Sequence, residues 1–267
     1  MTIPIGAVYS GAGTLGSSEV GAAQALEDAG YAIKDLVTTS AGSILGGMLA
    51  LGHKASKLKS VVEEANYAKL IPIDIFSYPR FITKGYLASN DYAIEWLKKI
   101  TGYAQAKDLV MPLKTLTTDL QTGKTYVMDS IKNPNMYLWE MILPSMSIPD
   151  VFPTYLEKYV DGGVANNLGI NYLTTKHRKI AFRVYEPLRK ISKFSLISRQ
   201  IRLVNIMLAT DEHLLVLLGK ELGVEIVNLP VPNGLSFLDT KMTLPQKMML
   251  YQTGYNAVHD YLNNVKG

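Results

Sequence analysis

The chain has 267 residues, 48% hydrophobic and 19% charged, so it can bury a sizeable core and falls outside the disordered and low-complexity classes. It contains no cysteine, which excludes disulfides, Cys-ligated zinc and a thiol nucleophile and fits a reducing compartment. The net formal charge is only +4, yet nine basic residues and one acid lie between Lys176 and Arg202, a segment of +8 against −4 for the rest.

In chain order, Ile3–Tyr9 reads as a short buried strand ended by Ser10-Gly11. Ser17–Ala29 carries Val20, Ala23 and Leu26 at helical spacing, with Gly30 as its stop. Asp35–Thr39 reads as a second strand and Ala41–Leu51 as a helix of small residues and leucines, stopped by Gly52. Lys57–Leu70 and Asp91–Ile100 have the pattern of amphipathic helices. Between them, residues 71–90, with Pro72, Pro79 and Gly85, read as a loop-rich lid or insertion. Leu116–Leu120 and Lys124–Met128 flank Gln121-Thr122-Gly123, a hairpin signal. Met136–Met146 reads as a helix, Tyr155–Val160 as a strand running into Asp161-Gly162-Gly163, and Lys179–Tyr185 as another strand. Leu203–Leu218 and Gln246–Asn263 read as long amphipathic helices, with a strand near Val224–Leu229. Strands alternating with helices predict an α/β fold: a mainly parallel sheet covered on both faces, in one domain spanning 1–267.

No stretch approaches the 18 apolar residues of a membrane span, and MTIPIGAVYS lacks the basic and apolar regions of a signal peptide. The chain is therefore expected in the cytoplasm, free or peripheral at a membrane. The basic segment 176–202 suggests an anionic partner, a membrane surface or nucleic acid, or else a plain solvated face. Ile191, Phe194, Ile197, Ile201 and Val204 form a helical stripe, with Arg189, Lys190, Lys193, Arg199 and Arg202 between them. Such a stretch suits an anionic bilayer or the core face of an ordinary helix. With only Phe182, Tyr185 and Phe194 for stacking, nucleic acid is not expected.

Gly11-Ala12-Gly13-Thr14-Leu15-Gly16, after a strand and before a helix, fits the dinucleotide fingerprint G-x-G-x-x-G. A Rossmann oxidoreductase also wants an acid at the C-terminal end of the second strand. There the acid, Asp35, is at the wrong end, and a serine occupies the right one. Thr38-Thr39-Ser40-Ala41-Gly42 approximates the G-x-S-x-G nucleophile elbow, which would set the Ser40 hydroxyl at a helix N-terminus. The same serine would also serve as an ordinary N-cap. A hydroxyl nucleophile needs a base. His53, His177, His213 and His259 lack the small-residue turn setting of a site, whereas Asp161 ends a strand and precedes two glycines.

Together these residues resemble the patatin-like phospholipase family, which has a glycine-rich oxyanion loop, a serine elbow and an Asp-Gly-Gly/Ala turn in that order. Thr118-Asp119-Leu120-Gln121-Thr122-Gly123 and Ser145-Met146-Ser147-Ile148-Pro149-Asp150-Val151-Phe152-Pro153 are similar to two further family segments, so the resemblance covers about residues 3–175. It implies a three-layer α/β/α fold and acyl-ester hydrolysis without metal or cofactor. Ser40 would be the nucleophile, Asp161 the proton acceptor, and the Gly11, Ala12 and Gly13 amides the oxyanion hole. Thr38, Gly42, Gly162 and Gly163 would support the elbow and the turn. The implied substrate is a phospholipid, lysophospholipid or other acyl ester, acted on with or without an activator protein. The alternatives are a non-catalytic or weakly active lipid-binding relative and a dinucleotide-binding Rossmann-type oxidoreductase. Three positions depart from the pattern. Thr38 replaces the first elbow glycine and is expected to crowd the turn, Leu15 replaces an Arg or Lys, and Gly169 stands where a proline often follows Asn-Asn-Leu.

Overall fold

A computed structural model describes residues 2–185, 214 and 216–266. Seven strands form one sheet among these residues: β1 (Ile3–Tyr9), β2 (Tyr31–Thr39), β3 (Leu113–Asp119), β4 (Lys124–Asp129), β5 (Tyr159–Asp161), β6 (Arg178–Tyr185) and β7 (Val224–Pro230). Six of them lie in the order β4-β3-β2-β1-β6-β7, and β5 pairs with β3. The β1–β2, β2–β3, β1–β6 and β6–β7 pairs are parallel, while β4 and β5 run antiparallel to β3. The sheet is thus mixed with a parallel centre, the α/β class expected.

The two-residue period of a strand explains why the central strands carry apolar side chains on both faces. Ile5, Ala7 and Tyr9 face one core with Leu36, Ile180 and Phe182, where Tyr9 stacks on Phe182 at 4.9 Å between ring centroids. Val8, Val37, Leu116 and Ala181 face the other way, against Leu168, Ile170 and Leu173. The first face is covered by α1 (Ser17–Asp28), α2 (Gly42–Ala50), α7 (Leu138–Ser145) and the C-terminal helix α8 (Leu244–Lys266), which packs along α1.

The expected helix Lys57–Leu70 is two helices, α3 (Ala55–Glu64) and α4 (Tyr67–Leu70). Ala65 turns to an extended ψ of 125°, and the Asn66 side chain accepts the Lys69 N–H at 3.1 Å, capping the second piece. The buried Lys247 ammonium donates to the Val62, Glu63 and Ala65 carbonyls that the break leaves free. Residues 71–90 are less irregular than expected, because they contain α5 (Ser77–Lys84), ended by left-handed Gly85. α6 is Asp91–Thr101. The strand expected over Tyr155–Val160 is mostly a tight turn. Leu156 and Glu157 have φ of 51° and 55°, and Tyr155 pairs back on Tyr159. Most of the helix expected at Leu203–Leu218 lies outside the described residues, as does the apolar stripe from Ile191 to Val204. Within the basic run, Arg178 is tied to β7 through Glu225, at 2.8 and 2.6 Å, and donates to the Tyr31 hydroxyl.

Candidate active site

Strand β3 brings the site together. Its first half pairs with β2, ending at Thr39 opposite Leu116. Its second half pairs with β5, beginning at Asp161 opposite Thr117. The two partners meet head to head on successive β3 residues, so Ser40, one residue past β2, and Asp161, the last of β5, are neighbours. The Ser40 hydroxyl donates to Asp161 Oδ2 at 2.5 Å.

Ser40 has a φ of 52°, a left-handed conformation that costs a non-glycine residue roughly 1–2 kcal/mol. The turn is tight because α2 starts directly beneath the end of β1. A Cβ at Gly42 would fall 2.5 Å from the Ser10 carbonyl oxygen, so only glycine fits there. Thr38 does not crowd the elbow as expected. Gly46 on α2 leaves room for its methyl group, and its hydroxyl enters a buried chain. Thr38 Oγ1 donates to Ser43 Oγ at 3.1 Å. Ser43 Oγ lies 2.9 Å from Ser145 Oγ, which donates to the Leu116 carbonyl at 2.6 Å. The Ser40 N–H donates to the same Ser145 oxygen at 2.9 Å. Since the one Ser145 proton goes to Leu116, Ser145 accepts from both Ser43 and the Ser40 amide, and each donor of the chain is satisfied.

Asp161 is fixed on both sides. The Gly163 amide donates to its Oδ1 at 2.8 Å, its own N–H donates to the Ser147 carbonyl at 2.8 Å, and Thr118 Oγ1 donates to its carbonyl at 2.9 Å. Gly162 packs against the Leu116 carbonyl with no space for a side chain. Burial pushes the Asp161 carboxyl up to about 7, against the hydrogen bonds from Ser40 and Gly163 that pull it down.

The glycine loop lies alongside. A Cβ on Gly11 would come 3.1 Å from the Ser40 Cβ, so this glycine permits the close approach. Of the three amides expected to hold an oxyanion, that of Gly11 is engaged, donating to Asn167 Oδ1 at 3.0 Å. Those of Ala12 and Gly13 have no acceptor among the described residues. Leu15 is buried in the main core. Nothing in the sequence around Asn167 signals its bond to the glycine loop. Ser145, likewise, carried no signal of its own.

A cavity of about 250 Å³ opens on this pair, lined by Ser40, Asp161, Gly163, Asn167, Ile148, Pro149, Val164 and Phe237. None of His53, His177 and His259 lines it, and His213 lies outside the described residues. Asp35 is committed elsewhere. It accepts the Thr174 and Thr175 amides at 2.8 and 3.0 Å and pairs with buried Lys114 at 3.3 Å, which leaves no carboxylate oxygen for a ribose. No group of three His, Cys, Asp or Glu side chains is placed to hold a metal ion among the described residues. No described helix is long and apolar enough to cross a membrane.

Comparison with solved structures gives the fold. VipD from Legionella pneumophila superposes with a TM-score of 0.61 at 14% identity, over 98% of this chain and 67% of that one. The type III effector ExoU gives 0.54 at 14% identity, over 98% and 53%. Among curated proteins, YqhO of Bacillus subtilis is 29% identical over 199 residues, 66% of this chain and 68% of its own length. Patatin-like phospholipase domain-containing protein 6 of Homo sapiens is 28% identical over 174 residues, 61% of this chain but 12% of that much longer protein. Lysophospholipase NTE1 of Yarrowia lipolytica is 25% identical over 187 residues, 67% and 12% respectively. The family model for patatin-like phospholipases matches residues 7–174, a span holding the glycine loop, Ser40, Asp161 and all of β1 to β5 except the start of β1, and on that match the chain belongs to the patatin-like phospholipase family.

Proposed function

We propose that the protein is a serine hydrolase of lipid acyl esters, with phospholipids or lysophospholipids as substrates. The observation that carries this reading is the 2.5 Å bond from the Ser40 hydroxyl to a buried carboxylate at a left-handed turn. Asp161 takes the Ser40 proton as Oγ attacks the acyl carbonyl, giving a tetrahedral oxyanion. The unengaged Ala12 and Gly13 amides and the N-terminus of α2 receive that charge. Collapse of the intermediate breaks the ester C–O bond, and the leaving alcohol takes its proton back from Asp161. Water, deprotonated by the same carboxylate, then releases the fatty acid and restores Ser40. The chain acts as one unit, since β6, β7 and α8, beyond the matched span, complete the sheet and its cover. The basic stretch 189–202, outside the described residues, adds electrostatic attraction to anionic lipid. A fluorophosphonate probe tests the reading: it should label Ser40 and block release of fatty acid from a lysophospholipid. A folded protein that neither labels nor hydrolyses would be the non-catalytic lipid-binding alternative.

Two further outcomes follow from the site. Changing His53, His177, His213 and His259 together should leave ester hydrolysis within about tenfold of the parent, about 1.4 kcal/mol in barrier. One histidine as necessary as Ser40 would make the site a triad. Ser145→Ala strands the Ser40 N–H and the Leu116 carbonyl, so it should lower kcat by about tenfold or more while leaving KM nearly unchanged. The unpaired groups should cost about 1–3 kcal/mol in thermal unfolding. Thr38→Ser keeps the hydroxyl chain and should stay close to parent activity, whereas Thr38→Val should follow Ser145→Ala in direction. Equal kcat in all three variants would remove the chain from the mechanism.

A further inference from the structure

The cavity at Ser40 is small for the substrates it is proposed to take. Its 250 Å³ includes space open to solvent, so the enclosed part is smaller still and too little to bury a whole lipid. The body of a lipid must therefore rest outside it on some other apolar surface. One such surface stands beside the mouth. Ile148 and Pro149 line the cavity, and the next two residues, Asp150 and Val151, accept the Leu87 and Ala88 amides at 2.9 and 2.7 Å. Arg80 on α5 reaches back to the Leu87 carbonyl and lies 3.7 Å from Asp74, which docks α5 on that pairing.

α5 and the residues just before it turn their apolar side chains outward. Ile75 is 85% exposed, Phe76 63%, Tyr78 55% and Ile82 67%. Four large apolar groups within eight residues are a patch rather than scattered surface, and patches of this kind mark interaction sites. With Arg80 paired to Asp74, residues 67–86 keep Lys69 and Lys84 as unneutralised cations, a net charge of +2 over the stretch. Exposed apolar side chains on a stretch of net positive charge, beside a pocket proposed for acyl esters, match the acyl–headgroup boundary of a phospholipid bilayer.

We propose that residues 75–82 are the element that seats this protein on the surface of a phospholipid bilayer, Ile75, Phe76 and Ile82 entering the lipid. The cavity mouth then meets the ester at the depth where it already lies, and the acyl chain never crosses water. This inference rests on the hydrolase reading for its choice of lipid, but its test does not depend on catalysis.

The Ser40→Ala protein is mixed with phosphatidylcholine vesicles containing phosphatidylglycerol and sedimented. It should bind, and the added triple change Ile75→Ser, Phe76→Ser, Ile82→Ser should weaken binding by roughly tenfold or more. On the Ser40 background, the same triple change should leave hydrolysis of a soluble short-chain ester within about twofold while depressing hydrolysis of vesicle lipid, because surface changes rarely disturb the fold. As a second measurement that needs no loss of stability, Phe76→Trp should gain fluorescence quenched by brominated lipid. Unchanged vesicle binding in the triple variant, or no quenching of the new tryptophan, overturns the proposal. So does a parent that forms dimers which the triple change dissociates, without binding vesicles. Vesicle binding through the patch with no ester hydrolysis would sink the hydrolase reading and leave the bilayer contact standing.

Discussion

Ser40→Ala and Asp161→Asn are each expected to lower kcat/KM for a short-chain ester by about 10³-fold or more, with the double variant scarcely worse than either. The two side chains form a single unit joined by the 2.5 Å bond, so removing one member strands the other. In the proposed mechanism, loss of Asp161 leaves the serine no acceptor for its proton, and loss of Ser40 prevents the covalent intermediate from forming. What activity remains comes from the oxyanion donors and from binding alone. The check is steady-state kinetics beside circular dichroism, to show that each variant is folded. A residual rate within about tenfold of the parent, about 1.4 kcal/mol in barrier, would remove that residue from the chemistry.

Activity and stability should respond to pH in opposite directions around pH 7. In the proposed mechanism Asp161 is the base and works only when ionised, and burial pushes its carboxyl up to about 7. Below that, kcat/KM should fall about tenfold per pH unit, and above it the rate should level off. For stability, the folded carboxyl keeps its proton between the ordinary carboxylate value of 3.8 and about 7, whereas the unfolded one loses it. The folded state therefore binds the extra proton, and stability declines as pH rises through that window, by up to about 1.4 kcal/mol per unit. Asp161→Asn cannot ionise, so it should unfold at a higher temperature than the parent at pH 8, with the gap narrowing toward pH 4. A variant that gained nothing at pH 8 would show that the buried carboxylate carries no such cost.

Much of the fold was legible because its signals are local. The apolar runs of β1 and β6, the Gly30 and Gly52 stops and the Gln121-Thr122-Gly123 turn each announce their element within a few residues. The serine turn and the Asp-Gly-Gly turn were legible for the same reason. What stayed hidden depends on partners far away in sequence. No local pattern shows that β5 takes over the edge of β3 where β2 stops, yet that handover is what joins Ser40 to Asp161. Thr38 looked like a clash at the elbow because the accommodating residue, Gly46, lies eight residues on, inside α2, and because its hydroxyl bonds Ser43, which in turn meets Ser145. The break between α3 and α4 is fixed by Lys247, which no window around Ala65 contains. The outward apolar face of α5 has the ordinary period of a core helix, and only its place in the fold turns it toward solvent.

The glycine loop is clamped from the far end of the chain. The Thr14 amide donates to the Phe237 carbonyl at 2.9 Å, and its hydroxyl reaches the Ser236 and Phe237 carbonyls, 222 and 223 residues downstream. Phe237 also forms part of the cavity wall. Because a chain is made from its N-terminus, the serine turn leaves the ribosome long before the residues that hold its neighbouring loop and close its wall. A half-made chain therefore carries Ser40 without the residues that clamp its neighbouring loop. A nascent chain that has not yet reached Phe237 would hold its glycine loop without this clamp and its cavity without this part of the wall.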